Sequence, residues 1–186
     1  MKEIRFSGYG GQGIVRCGLI VGKALSLYDD QFATMTQSFG PEARGSACSS
    51  QLVVSKDEVL YPYVTQPDIL VSMSQDAYDK YIGGLRDKGV LIIDEDLVRL
   101  DQRAKAFSRH QIPATRLAEE LGNRIIANLV MIGFFTAVTG MVSPEAVKQA
   151  LPGLVPDRSL DINLRAFEQG YQFGLKQVEM QTCAAT

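Results

Sequence analysis

The chain has 186 residues, of which 46% are hydrophobic, and it carries a formal net charge of −2. A chain of this length buries about two-thirds of its unfolded surface, which is enough for one domain with a substantial core. The near-neutral charge argues against a nucleic-acid-binding face, and no run of about 18 apolar residues predicts a membrane span. Because the N-terminal sequence lacks the apolar segment of a signal peptide, we expect a cytoplasmic protein with reduced cysteines.

The metal-binding and nucleophilic side chains are too scattered to predict a metal site or a catalytic residue. A zinc or iron–sulfur site held by protein needs about four clustered ligands. The chain has only three cysteines and one histidine, which are far apart: Cys17, Cys48, Cys183 and His110. No serine, cysteine or acid is placed to form a triad with His110, so we interpret it as a structural or surface residue near a loop.

The first third of the chain alternates short strand patterns with glycine and polar turns. Residues 2–7 alternate as a strand, a glycine cluster follows, and residues 14–28 have helical periodicity. Residues 32–36 predict a second strand. The runs 48–55 and 59–61, separated by a polar turn, predict an antiparallel hairpin.

The rest of the chain predicts a parallel sheet with helices. The apolar runs 69–71 and 90–93 are typical of strands buried on both faces, with a crossover helix between them. Four more helices are predicted: 115–121, 123–139, one starting at Ser143-Pro144, and 163–176. The fold class is therefore α/β, a three-layer, mostly parallel sheet flanked by helices with a β-hairpin at one edge. We expect a single domain over residues 1–180 and a disordered tail at 181–186.

The sequence GYGGQG at residues 8–13 matches G-x-G-x-x-G between a strand and a helix. Such a turn lets a phosphate approach the backbone, and the helix N-terminus supplies N–H groups and a positive dipole end. Asp29 and Asp30 lie near the spacing of a ribose-binding acid, which favours a dinucleotide site, but they precede the second strand instead of ending it. The alternative is a glycine turn that serves only close packing of helix on strand.

Four further segments extend the pattern along the chain. After residues 8–13 come QSFGPEARG at 37–45, then IPAT at 112–115, AEELGN at 118–123 and AN at 127–128. Together they resemble the gamma subunit of 2-oxoacid:ferredoxin oxidoreductases, a family that includes pyruvate and ketoisovalerate enzymes, and the 2-oxoglutarate type matches best. The resemblance spans residues 4–175. Ser46 departs from the pattern, which has a second glycine there.

The resemblance implies a subunit of an enzyme that converts a 2-oxoacid, coenzyme A and oxidised ferredoxin to acyl-CoA, carbon dioxide and reduced ferredoxin. Thiamine diphosphate, magnesium and iron–sulfur clusters are implied on other subunits, and coenzyme A is the cosubstrate. The partners implied are alpha and beta subunits, a ferredoxin-like subunit, and ferredoxin itself. A nicotinamide-dependent Rossmann-like oxidoreductase and a purely structural assembly subunit stay open as alternatives.

The two loops supply the candidate binding residues. Arg44 lies between glycines on a polar loop, where a guanidinium can clamp a phosphate or carboxylate; a surface pair with Glu42 is the alternative. Gln12 can bind a ligand or cap its own turn. The candidate cofactor-binding residues are Gly8, Gly10, Gly11, Gln12, Gly13, Gly40, Arg44 and Gly45.

Two other segments have more than one interpretation. The acids at 94–96 follow a strand, where a metal or ribose can bind, although we favour a solvated strand exit. The run 129–135 is apolar on nearly all sides, which is typical of a core helix or of a subunit interface. On the interface interpretation, the isolated chain is expected to form a homodimer.

Overall fold

The computed structural model describes residues 1–39 and 47–184. Within these ranges there are six strands: β1 Lys2–Tyr9, β2 Phe32–Ser38, β3 Ala47–Ser55, β4 Ile69–Ser72, β5 Val90–Asp94 and β6 Ser108–Ile112. The same ranges contain six α-helices: α1 Ile14–Tyr28, α2 Gln75–Tyr81, α3 Ala114–Glu120, α4 Ala127–Thr139, α5 Pro144–Ala150 and α6 Leu160–Ala184. No helix in the described ranges has both the length and the apolar character that crossing a membrane requires.

The strands form one mixed sheet in the order β2-β3-β1-β4-β5-β6. β1, β4, β5 and β6 run parallel to one another, whereas β3 is antiparallel to both β1 and β2. The predicted α/β fold with a mostly parallel sheet and an edge hairpin is therefore confirmed.

The hairpin, however, uses different strands from those predicted. β3 pairs with β2, from Phe32↔Ser55 to Ser38↔Ser49, and the run 59–61 is not a strand. The physical reason is that β3 pairs along one edge with β2 and along the other with β1, so it has no edge left for a third strand. Leu60 is instead 87% exposed.

Helices cover both faces of the sheet and give the three predicted layers. On β4, Ile69 and Val71 pack into the larger core with α1, α4, α5 and α6. Leu70 points to the other face, into a smaller core with Tyr78 of α2. The parallel strands are apolar on both faces because both faces are buried.

The apolar run 129–135 lies in α4, at the centre of the larger core. Its side chains from Leu129 to Phe135 are all buried within the chain itself. α4 packs closely along α6, with Gly133 and Gly170 at the contact. The core interpretation is therefore confirmed, and the proposal of an interface at this run is wrong because α6 supplies its cover.

The start of α5 forms as its sequence predicts. Ser143 caps the helix with its hydroxyl, which accepts from the N–H of Ala146, and Pro144 takes the first helical position. The carboxylate of Asp29 accepts from both the N–H and the hydroxyl of Ser143, each at 2.7 Å. Asp29 therefore joins the end of α1 to the start of α5.

The C-terminal helix is longer than predicted. α6 continues to Ala184, so residues 181–184 of the expected tail are helical and residues 185–186 lie outside the described ranges. The disorder of this tail in solution stays a prediction.

The edge strand β6 was not predicted, and it contains the single histidine. His110 is buried beside Phe134, and its Nδ1 lies 3.3 Å from Oε1 of Gln177 on α6. Burial lowers the pKa of His110 below its ordinary value of 6.5, and the contact with Gln177 opposes this in part. The residue is therefore structural, although it lies on a strand and not near a loop.

His110 is expected to make the chain less stable as the pH falls from about 7 to 5. The unfolded chain binds a proton near the ordinary histidine pKa of about 6.5, whereas the folded chain binds it only at lower pH. Stability is therefore full above 6.5 and declines below it. Denaturant unfolding at several pH values measures this, with His110→Gln as the variant that lacks the dependence. A pKa of the His110 imidazole at or above 6.5 in the folded chain, measured by NMR, would contradict this explanation.

Candidate functional site

The glycine turn connects β1 to α1 and closes around its own glutamine. Gly11 and Gly13 have φ values of +103° and +76°, a region that L side chains rarely adopt. Gly8 has an ordinary φ, but a Cβ there would lie 2.5 Å from Oε1 of Gln12, so Gln12 would have to move. Gly10 is exposed at the tip of the turn.

Gln12 ties this turn to the neighbouring strand. Its Oε1 accepts from the N–H of Tyr9 at 2.6 Å, and its Nε2 donates to the carbonyl of Met73, just beyond β4, at 2.7 Å. Both polar ends are thus used inside the protein. This geometry supports the turn-capping interpretation of Gln12 and places its amide at the junction of β1 and β4.

That junction is a crevice of the kind that binds ligands in open α/β sheets. β1 and β4 are parallel neighbours, but β1 leads to α1 on one face and β4 leads to α2 on the other. Where consecutive helices diverge in this way, the carboxyl ends of the strands leave an opening. A cavity of about 180 Å³ lies there, lined by Gly11, Gln12, Met73, Thr115, Arg124, Ile125 and Ala127.

The N-terminus of α1 gives the crevice an anion-binding character. Gly13 is its N-cap residue and contributes no side-chain hydrogen bond, and no acid lies in the first turn. The buried amide of Asn128, at the start of α4, packs against Gly13, and its Nδ2 has no hydrogen-bond partner among the described residues. Unpaired helix N–H groups and the helix dipole favour a negatively charged group. Arg124, whose Nε lies 3.7 Å from Oε1 of Glu119, adds a partly compensated positive charge nearby.

Asp94 positions one wall of the cavity. It is fully buried, and its carboxylate accepts from the N–H and hydroxyl of Thr115 and from the N–H of Asp96. Burial raises the pKa of Asp94 despite these hydrogen bonds. The expectation of a solvated strand exit is therefore wrong for Asp94, although Glu95 and Asp96 are exposed and contact Arg116.

The candidate residues Gly40, Arg44 and Gly45 lie outside the described residues, as does Glu42. Only the strands that flank their loop are described. The first residue of β3, Ala47, pairs with Tyr9, the last residue of β1. One anchor of that loop is therefore beside the start of the glycine turn.

In the part of the chain that the structure describes, the residues considered for a dinucleotide site or a metal site are engaged elsewhere or lie apart. Asp29, the candidate ribose-binding acid, is engaged with Ser143. Among the described residues, no group of three or more histidines, cysteines or acids could hold a metal ion. Cys17 and Cys48 are buried, and burial raises the pKa of Cys17 to about 12, so its thiol stays protonated. The described histidine, cysteine and acidic side chains therefore do not form a ligand set for the magnesium of thiamine diphosphate or for an iron–sulfur cluster.

Sequence reasoning located the glycine turn but missed much of the crevice. Thr115 lies in the recognised IPAT segment, yet its role depends on a carboxylate 21 residues earlier. Met73 and Arg124 had no local signal. Asn123 is the N-cap of a short 3-10 segment, and its side chain accepts from the N–H of Ile125.

Comparison with known proteins gives consistent similarities along the chain. The family described as pyruvate ferredoxin/flavodoxin oxidoreductase matches residues 3–173. The chain is 47% identical to the 2-oxoglutarate synthase subunit KorC of Methanocaldococcus jannaschii, over 92% of each chain. It is 32% identical to the pyruvate synthase subunit PorC of Methanothermobacter marburgensis, over 91% of this chain and 97% of that one.

A solved structure has the same fold over nearly its whole length. The gamma subunit of a keto/oxoacid ferredoxin oxidoreductase from Geobacter sulfurreducens superposes with a TM-score of 0.83 at 37% identity. The match covers 95% of this chain and 99% of that chain.

Proposed function

Because the chain belongs to the pyruvate ferredoxin/flavodoxin oxidoreductase family, we propose that it is the gamma-type subunit of a 2-oxoglutarate:ferredoxin oxidoreductase. The observation that carries the choice of 2-oxoacid is the identity of 47% with a 2-oxoglutarate synthase subunit, against 32% with a pyruvate synthase subunit. Both matches cover nearly all of the chain, so the difference does not arise from partial alignment.

The crevice supports a role in holding coenzyme A while chemistry occurs on other subunits. Coenzyme A carries a pyrophosphate and a further phosphate, which suit a helix N-terminus with unpaired N–H groups. The glycine turn allows close approach, and Arg124 adds a positive charge at the rim. The candidate residues of the 8–13 turn and of the loop with Gly40, Arg44 and Gly45 are proposed to meet this ligand together.

The described residues favour placing the redox cofactors on other subunits. They offer no nucleophile–base pair and no metal-ligand cluster. Thiamine diphosphate, magnesium and iron–sulfur clusters are therefore proposed to lie on the alpha, beta and ferredoxin-like subunits, with ferredoxin as electron acceptor. A cytoplasmic location and self-association of the isolated chain remain predictions, and the latter no longer rests on residues 129–135.

The test is reconstitution. The purified chain alone is expected to show no 2-oxoacid-dependent reduction of a viologen, because it lacks the redox cofactors. With the other subunits, 2-oxoglutarate is expected to exceed pyruvate at least about ten-fold in kcat/KM, a difference of about 1.4 kcal/mol in transition-state binding. Viologen reduction by the chain alone would contradict its assignment as a subunit. A preference for pyruvate would contradict 2-oxoglutarate as the substrate.

The same assay also tests the proposed role of this chain in binding coenzyme A. Arg44→Ala is expected to raise the KM for coenzyme A about ten-fold or more, since a charge-assisted hydrogen bond contributes on the order of 1.5–3 kcal/mol. Arg158→Ala, an exposed arginine just before α6, is the matched control. An unchanged KM in Arg44→Ala would leave a purely structural subunit as the better description.

A further inference from the structure

We propose that the sheet face carrying Arg5 is an interaction surface that receives an acidic side chain from another subunit of the same enzyme. This inference rests on the proposed function, which makes the chain one part of a larger assembly. The surface, called the Arg5 surface below, consists of Arg5 on β1, Gln51 on β3, and Lys80 and Tyr81 on α2.

Arg5 is a partly buried cation with one buried donor that has no partner. Its Nη2 donates to Oε1 of Gln51 at 3.0 Å, and its guanidinium lies 5.0 Å from the ring centre of Tyr81. Its Nε is buried without a hydrogen-bond partner, and no carboxylate among the described residues forms an ion pair with it. A guanidinium has five N–H donors, and leaving them unpaired away from water is costly.

A second cation shares the same aromatic ring. The ammonium of Lys80 lies 5.1 Å from the centre of the Tyr81 ring and forms no ion pair within the described ranges. Two positive charges therefore flank one ring, and Glu3, the acid whose charge acts on Arg5, is already engaged in backbone hydrogen bonds. A carboxylate is the group that complements this arrangement, and Arg binds it with two parallel hydrogen bonds.

There is room for such a group next to the guanidinium. Gly83 and Gly84 follow α2, and a Cβ built on Gly83 would meet nothing within 4 Å. On Gly84 the nearest atom would be Nη1 of Arg5, at 3.9 Å. The space beside Gly84, next to Nη1 of Arg5, is thus free of other described atoms.

A segment with exposed aromatic side chains ends at the same face of β1, which favours a protein partner over a small anion. Glu3, two residues before Arg5 and on the same face of β1, accepts from the N–H groups of Thr65 and Gln66 at 2.8 Å each. These bonds hold Thr65 and Gln66 at this face of the sheet, directly after the segment 60–63. That segment carries three exposed residues: Leu60, Tyr61 and Tyr63. Tyrosine and arginine are the residue types that anchor protein interfaces.

The experiment measures binding of the full chain to the co-purified remaining subunits. Lys80→Glu reverses one charge of the Arg5 surface, and Arg5→Gln removes the other. Each is expected to raise the dissociation constant about ten-fold or more and to weaken its salt dependence. Lys176→Glu, the same change at an exposed lysine of α6 on the opposite side of the sheet, is expected to leave binding unchanged.

The outcomes separate this surface from the proposed function. Wild-type chain that neither binds the other subunits nor restores turnover overturns both. Wild-type chain that restores turnover while Lys80→Glu and Arg5→Gln bind equally well overturns the surface alone. Equal weakening by Lys176→Glu also overturns it, because the effect is then not local. Lys80 is exposed, so Lys80→Glu decides the matter even if Arg5→Gln fails to fold.

Discussion

Replacing Gly170 with alanine is expected to lower the free energy of unfolding of the chain by about 3 kcal/mol. At this position α6 crosses α4 so closely that a Cβ on Gly170 would overlap the carbonyl of Val130. The reciprocal contact occurs one turn away, where a Cβ on Gly133 would overlap the carbonyl of Phe167. Because both obstacles are backbone atoms within rigid helices, no side-chain rotation can relieve the overlap.

Denaturant unfolding of the full chain measures this change. Gly133→Ala is expected to match Gly170→Ala, since both separate the same two helices. Gly83→Ala is the control, because a Cβ there meets nothing within 4 Å and the φ is not positive; we expect a change within about 0.5 kcal/mol. A loss below 1 kcal/mol in Gly170→Ala would mean that α4 and α6 can move apart freely.

The α4–α6 contact also shows where prediction from sequence stops. The apolar run 129–135 correctly predicted a fully buried helix, because a helix with apolar side chains on every side is buried on every side. What buries it could not be predicted. Gly133 and Gly170 are 37 residues apart, and the close approach they allow is a property of the pair.

The sheet gives a similar contrast. Local patterns located β1, β2, β4 and β5, since alternation or continuous apolar runs report how many faces of a strand are buried. They did not reveal β6, because its sequence SRHQI is mostly polar and three of its five residues are exposed at the edge of the sheet. They also paired β3 with residues 59–61, because pairing depends on which edges other strands have already taken.

For the candidate site, the sequence located the turn but not the geometry that makes it a site. The motif G-x-G-x-x-G emphasises Gly8, Gly10 and Gly13, whereas the left-handed positions are Gly11 and Gly13. Gln12 was correctly considered as a cap for its turn, but its second bond, to Met73, spans 61 residues. Contacts of that range follow from the order of strands in the sheet, which no local pattern contains.

Gly13 is the position where a single methyl group is expected to disturb both the fold and the candidate site. Its φ of +76° is strained for alanine, and a Cβ would lie 2.5 Å from Nδ2 of Asn128. The strain and the overlap together are expected to cost about 2–3 kcal/mol of stability. Gly11→Ala separates the two causes, because its φ of +103° carries strain but a Cβ there meets nothing within 4 Å.

A double-mutant cycle isolates the overlap with Asn128. Asn128→Ala removes the amide that a Cβ on Gly13 would meet, so the double variant is expected to be more stable than the sum of the single changes by about 1 kcal/mol. Strict additivity would mean that the amide simply rotates away and that only backbone strain matters at Gly13.

In the reconstituted enzyme, the same variants test whether the start of α1 faces the ligand. Gly13→Ala is expected to push the first turn of α1 away from Asn128 and so displace the N–H groups that would hold a phosphate. The KM for coenzyme A is therefore expected to rise about ten-fold, equivalent to about 1.4 kcal/mol, with a smaller change in kcat. The double variant with Asn128→Ala should recover part of that loss, because the helix can return. A KM that stays at the wild-type value in Gly13→Ala, in enzyme that is fully assembled, would mean that the glycine turn only packs α1 against the sheet.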